Sequence, residues 1–396
     1  MPAVQPNVLV WARETAGLSL EAAAGKLDLH AARGVSPAER LEAVEAGQQQ
    51  PTRPLLLRMA KAYRRSLLTL YLSAPPPTGD RGQDFRTLPQ RGTTTEPLVD
   101  ALVRDIRTRQ SLVRAAIEEE QDARALDFVN SMTMRDGIIE VARSIRQTLG
   151  FDIATFRAQE SVGDAFSYVR GRAEACGIFV LLIGNLGSHH TNLEVAAFRG
   201  FALADRLAPF VVINDNDARS AWSFTLVHEL AHLWLGATGI SGPYGDSQVE
   251  RFCNDLASSL LLADRELADL AIDDPRDQRS LARQITAFAE PRHVSRSMVA
   301  YRLFRIGRIS EEVWTNLAAT FRQEWLANRE AQREHDQERD GGPSYYVVRR
   351  HRLGTGLLKF VERSMSEGLL TPTKASTVLG VKPRNVATLL RIGGRR

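Results

Sequence analysis

Apolar positions recur at helical spacing through most of the chain and form strand-like runs in only two short places. Val8, Leu9, Ala12 and Ala16 share one helical face and Gly17 closes it, after which Ser19 can cap a second helix bearing Leu20, Ala23, Ala24 and Leu27. Ser36-Pro37-Ala38-Glu39 offers a capping box with proline in the first turn, predicting a helix that runs to Gly47. Leu55, Met59, Ala62 and Tyr63 mark one more. The first 75 residues therefore read as a bundle of short helices with a helix-turn-helix at its centre.

Residues 76–97 are rich in Pro, Gly and Thr and have no periodicity, so they read as a linker. From about 98 to 170 the pattern is helical and charged, and Glu118, Glu119 and Glu120 form a solvated face. The apolar runs Gly177–Ile183 and Pro209–Ile213 predict two strands of a small sheet. A polar helix is expected over 321–340, broken by the GGPS of 341–344. Near the C-terminus Thr371 can cap a helix, Gly380 ends it and Pro383 begins the next, again at helix-turn-helix spacing.

Composition narrows the class without naming it. With 43% hydrophobic and 25% charged residues the chain is of ordinary globular make-up. No apolar run reaches membrane-spanning length, and Arg13 and Glu14 interrupt the N-terminus before a signal-peptide hydrophobic region could form, so a cytoplasmic protein with no membrane partner is expected. The two cysteines, Cys176 and Cys253, are too few for a disulfide framework. Charge is unevenly placed. Residues 341–396 carry 11 Lys+Arg against 2 Asp+Glu, a net of +9, which leaves −5 of the total +4 for residues 1–340. Lys382, Arg384 and Asn385, at the start of the last helix, are candidate DNA contacts, against a purely packing role for the segment.

The strongest chemical signal is His228-Glu229-Leu230-Ala231-His232, within the helical run SFTLVHELAHLWLG. Histidines at i and i+4 lie one above the other on a helix face, where two imidazole nitrogens can meet one metal ion. Glu229 is turned about 100° away and can reach a water on that ion without being a ligand. The neighbours are apolar nearly all round, so the helix is expected to be buried, and two histidines and a carboxylate buried there are costly without a partner. The third ligand is less direct. Glu250, eighteen residues on, starts a second helix and can fold back to complete the set, but Ser247-x-x-Glu250 is also a capping box. The ligand role is preferred because two protein ligands alone would leave the ion under-coordinated. Tyr244, His189 and His190 are candidate oxyanion or substrate contacts.

The segments INDNDARSAWSFTLVHELAHLWLG and VERFCNDLASSLL, with flanking cues DAFSYVRGRAEACGIFV and HVSRSMVAYRLFRIG, resemble the ImmA/IrrE family of bacterial and phage metallo-endopeptidases. ETAGLSLEAAA, LEAVEAGQQQPT and LLRMAKAY resemble a helix-turn-helix domain of the Xre type, although its presumed recognition helix bears Glu39, Glu42 and Glu45 against Arg40, a charge unsuited to phosphates. The resemblance implies Zn2+ as cofactor, held by His228, His232 and Glu250, with Glu229 as general base. It also implies regulatory proteolysis of a protein substrate, a DNA-binding repressor, in transcription regulation or a stress response.

The expected fold is α+β, mainly α with a small sheet. Its parts are an Xre-like domain over 1–75, a linker over 76–97, a zincin-like metallopeptidase domain over 98–265, and a helical C-terminal region over 266–396 with the basic tail. The rival reading is a DNA-binding regulator or antitoxin-type protein whose metal site is structural or vestigial. The presence of Glu229 argues against it, because a structural site has no use for a base.

Overall fold

A computed structural model describes residues 4–32, 34–76, 96–120, 123–187, 191–236, 239–241, 248–274, 277–337 and 344–391. Its contacts divide the chain into two compact units, Met1–Asp105 with Leu186–Leu193, and Ile106–Asn185 with Glu194–Arg396.

The first unit contains α1 (Pro6–Glu14), α2 (Leu20–Lys26), α3 (Pro37–Glu45) and α4 (Arg53–Ala62). Ser19 caps α2 as expected, and the capping box at α3 is closed in both directions, Ser36 N–H donating to Glu39 Oε2 at 2.7 Å and Glu39 N–H to Ser36 Oγ at 3.2 Å. Leu9, Ala12, Leu27, Leu41, Met59 and Tyr63 meet in its core. One expectation is revised here. Of the three carboxylates expected to face outward from α3, Glu45 points inward, and its side chain, 5% exposed, pairs with Arg13 at 3.0 Å. Burial raises the Glu45 carboxyl above its ordinary value, against the hydrogen bond and charge of Arg13, which lower it. Only Glu39 and Glu42 remain on the accessible side of α3.

The unit boundary falls within α5 (Glu96–Glu118), and α6 (Gly137–Leu149), α7 (Ile153–Arg157) and α8 (Val162–Ala175) follow. A four-stranded sheet comes next, built from β1 (Phe179–Leu182), β2 (Gly200–Leu203), β3 (Phe210–Ile213) and β4 (Gly239–Ser241) in the order β1-β3-β2-β4. β1 runs parallel to β3 with Phe179 opposite Phe210, while β2 is antiparallel to both β3 and β4. β1 and β3 are the two strands expected. β2 and β4 were not legible, because four residues with a Gly and an Ala, or three residues alone, carry no alternation that distinguishes them from coil. Every residue of β1, β2 and β3 is buried, and α8 and α9 (Arg219–Trp234) pack on the sheet.

The remaining helices are α10 (Gln248–Leu261), α11 (Asp264–Ala268), α12 (Gln278–Ala289), α13 (Arg296–Arg305), α14 (Glu311–Gln337), α15 (Tyr345–Leu353), α16 (Thr355–Ser366), α17 (Pro372–Leu379) and α18 (Pro383–Arg391). The polar helix expected from Phe321 starts ten residues earlier, at Glu311, because Val313, Trp314 and Leu317 give its first turns an apolar side that packs on the core. The C-terminal helices are tied to the sheet by Arg170 of α8. This arginine is 7% exposed, pairs with Glu174 at 3.0 Å, and donates to the carbonyls of Val180, His351 and Arg352. The described residues include no helix long and apolar enough to cross a membrane.

Candidate metal centre

The site begins at the end of β3. Asn214, fully buried, stops the strand by donating from Nδ2 to the Phe198 carbonyl at 3.1 Å and accepting on Oδ1 from Asn216 N–H at 3.0 Å. The chain reverses there and enters α9, where the Trp222 indole donates to the Asp217 carbonyl at 3.1 Å. From Thr225 to Trp234 every residue of α9 is buried, as its all-round apolar pattern requires. Trp234 anchors the far end by stacking on Phe128, with ring centroids 4.4 Å apart, and by donating to Ser144 Oγ at 3.0 Å.

In this setting His228, Glu229 and His232 are 3%, 0% and 1% exposed. One helical turn sets the two imidazoles side by side, with Nε2 to Nε2 at 3.1 Å. Helix α10 packs along α9 and brings in Glu250, whose Oε2 lies 3.3 Å from His228 Nε2 and whose Oε1 lies 3.2 Å from His232 Nε2. His228, His232 and Glu250 thus form a group able to hold a metal ion. Four tetrahedral ligands at zinc-like distances of about 2.0–2.1 Å stand roughly 3.3–3.4 Å apart, close to the separations seen. The donor chemistry fits as well. Two ring nitrogens and a carboxylate, all aimed at one point, present only lone pairs to one another unless a proton or a cation lies between them. Both Nδ1 atoms are buried without a hydrogen-bond partner among the described residues.

Electrostatics point the same way. Burial alone would raise the Glu250 carboxyl, but hydrogen bonds from His228 and His232 outweigh it and hold the group well below the ordinary carboxylate range. Burial alone would lower His232, yet Cys253, Glu250 and Glu229 raise it. Burial also pushes the Cys253 thiol up, against the charge and hydrogen bond of His232, which lower it.

One contact in the site was not legible in the sequence, and a second involves Cys253. Gly200 of β2 packs on the general-base candidate so closely that a Cβ there would lie 2.8 Å from Glu229 Oε1 and 2.7 Å from Thr225 Cγ2. Cys253, three residues after Glu250 on α10, faces His232 and is fully buried. Of the remaining candidates, Tyr244, His189 and His190 lie outside the described residues, as does Ser247, the alternative partner of Glu250. Lys382 and Arg384 are exposed and Asn385 is half-buried, all in the α17–α18 region.

Residues 187–304, which span β2 through nearly all of α13, match the peptidase M78 family in its IrrE N-terminal-like domain. This supports the ImmA/IrrE family of metallopeptidases for that part of the chain. No curated protein and no solved structure gives a significant match.

Proposed function

We propose that the protein is a zinc-dependent endopeptidase that cuts a particular protein partner, a DNA-binding transcriptional repressor, as a regulatory step. The observation that carries this reading is the convergence of His228 Nε2, His232 Nε2 and a Glu250 oxygen within 3.1–3.3 Å, beside buried Glu229. In it, His228, His232 and Glu250 hold the ion, which supplies Lewis acidity toward a peptide carbonyl and toward water. Glu229 takes the proton from the attacking water and delivers it to the departing amine as the amide C–N bond breaks. The apolar wall of α9 keeps bulk water out, so that these charges act in a medium of low polarity. Residues 1–75 serve as an Xre-like docking module, residues 98–265 hold the zincin-like core, and the protein works in the cytoplasm. The oxyanion donor is sought among Tyr244, His189 and His190.

The test separates ligand from base. The purified chain is expected to carry one zinc per molecule by elemental analysis, His228→Ala and His232→Ala are expected to lose it, and Glu229→Gln is expected to keep it. Co-expression with the products of neighbouring genes, followed by intact-mass analysis, is expected to reveal one truncated partner with the wild type and none with Glu229→Gln. A wild type with far less than one metal ion, or an active Glu229→Gln protein, overturns the reading.

A further inference from the structure

The basic tail separates into two sets of cations that do different things. Arg349 donates to the carbonyls of Leu379 and Gly380 at 2.7 and 2.8 Å, Arg350 to those of Leu389 and Leu390, and Arg352 pairs with Asp215 at 2.6 Å. These three arginines of α15 and its C-terminal turn point inward. Arg349 and Arg350 hold the C-terminal carbonyls of α17 and α18, where a helix end carries partial negative charge. The second set points to water. Lys374, Lys382, Arg384 and Arg391 are all exposed, and none forms an ion pair among the described residues. No aspartate or glutamate occurs from Gly368 to the end of the chain, while six Lys+Arg do.

The backbone beneath that face is a helix-turn-helix. α17 ends at Gly380, in the left-handed conformation at φ 58°, and three residues later Pro383 opens α18. Ala375, Val378, Leu379, Val386 and Leu389 are buried between the pair, α16 and α15, and the opposite sides of α17 and α18 are exposed among the described residues. Those sides carry Thr373, Lys374, Thr377, Lys382 and Arg384, hydroxyls and cations with no exposed large apolar side chain. α18, nine residues long, extends about 13 Å, comparable with the roughly 12 Å width of a DNA major groove. In a helix-turn-helix the second helix enters the groove by its N-terminal residues while the first crosses the backbone. Here Lys382 immediately precedes α18, and Arg384 and Asn385 lie in its first turn.

We propose that α17 and α18 form a binding surface for duplex DNA, with Lys374 and the Lys382–Arg384 end of α18 as its phosphate and groove contacts. Four exposed cations on one small helical pair, none in an ion pair among the described residues, repel one another, and a polyanion is the partner that turns this repulsion into binding. The proposal places DNA at the C-terminal end of the second unit, whereas the corresponding helix of the first unit, α3, presents Glu39 and Glu42. It stands apart from the peptidase reading and is tested without reference to cleavage.

The experiment is fluorescence anisotropy of the full-length chain with a fluorescein-labelled 24-base-pair duplex of mixed sequence at 50 and 150 mM NaCl. Binding is expected at the lower salt. Three phosphate contacts would weaken it about 20-fold at the higher salt and give a log–log salt slope near −2.7. The triple variant Lys374→Glu, Lys382→Glu, Arg384→Glu is expected to raise Kd at least tenfold at 50 mM. Lys382→Ala with Arg384→Ala, which leaves every buried contact intact, is expected to raise it at least threefold and flatten the slope by about 1–2. A control triple variant on the exposed side of α4, Arg53→Glu, Arg58→Glu, Lys61→Glu, is expected to leave Kd within twofold. The proposal is overturned by absence of duplex binding at 50 mM, by unchanged binding in the alanine pair, by loss of binding in the α4 variant, or by tighter binding of a single-stranded 24-nucleotide RNA.

Discussion

Gly200 of β2 and Glu229 of α9 are packed so closely that any side chain on the first would collide with the carboxylate of the second. The strand lacks a side chain at the one position where the helix presents its candidate base. Gly200→Ala is therefore expected to destabilise the fold by about 1–3 kcal/mol, as overpacking does, and to slow partner cleavage while leaving zinc content at one per chain. Thermal unfolding and elemental analysis together check this. A variant as stable and active as the wild type would show that the Glu229 side chain can move aside freely.

The position of Glu250 gives opposite outcomes for its two readings. As a ligand, Glu250→Gln replaces a charged donor whose oxygens lie 3.2–3.3 Å from both imidazoles, and zinc affinity is expected to fall by at least 10-fold. As a cap alone, the substitution would cost only about 1 kcal/mol and spare the metal. Competition with a chelator of known affinity distinguishes them.

Arg13 and Glu45 make a nearly buried pair in the first unit, with side chains 11% and 5% exposed. Removing Glu45 leaves the Arg13 charge only the exposed Glu14, at 3.7 Å, so Glu45→Ala is expected to cost about 3 kcal/mol. Replacing both, as Arg13→Met with Glu45→Leu, is expected to recover most of that loss. Chemical denaturation of the three proteins is the measurement, and a double variant no better than the single one would refute the burial argument.

His351 of α15 is half-buried, and burial, with Arg170, Arg219 and Arg352 nearby, lowers its pKa below the ordinary 6.5. The folded state thus binds this proton less readily than the unfolded chain. The stability it confers is complete above about pH 6.5 and is lost as pH falls below that value. His351→Gln is expected to show a smaller drop in unfolding midpoint between pH 7.5 and 5.5 than the wild type. An equal drop in both proteins would assign the acid sensitivity to other groups.

Much of the local structure could be read from the residues alone. Periodicity and capping residues follow from backbone geometry and orphan helix-end groups, so Ser19, Ser36 and Thr371 marked their helices and Gly380 a turn without any tertiary information. His228 and His232, four residues apart, could only share a helix face. What lies between elements could not be read this way, because sequence separation does not encode which faces meet. The packing of α10 on α9 decided where Glu250 points, and the packing of α9 on β2 decided that position 200 has no room for a side chain. Glu45 looked like one more surface carboxylate until the fold set Arg13 beside it. The +9 of the tail was visible as a sum, but only the tertiary structure separated the arginines that bind carbonyls from the lysines and arginines left in water.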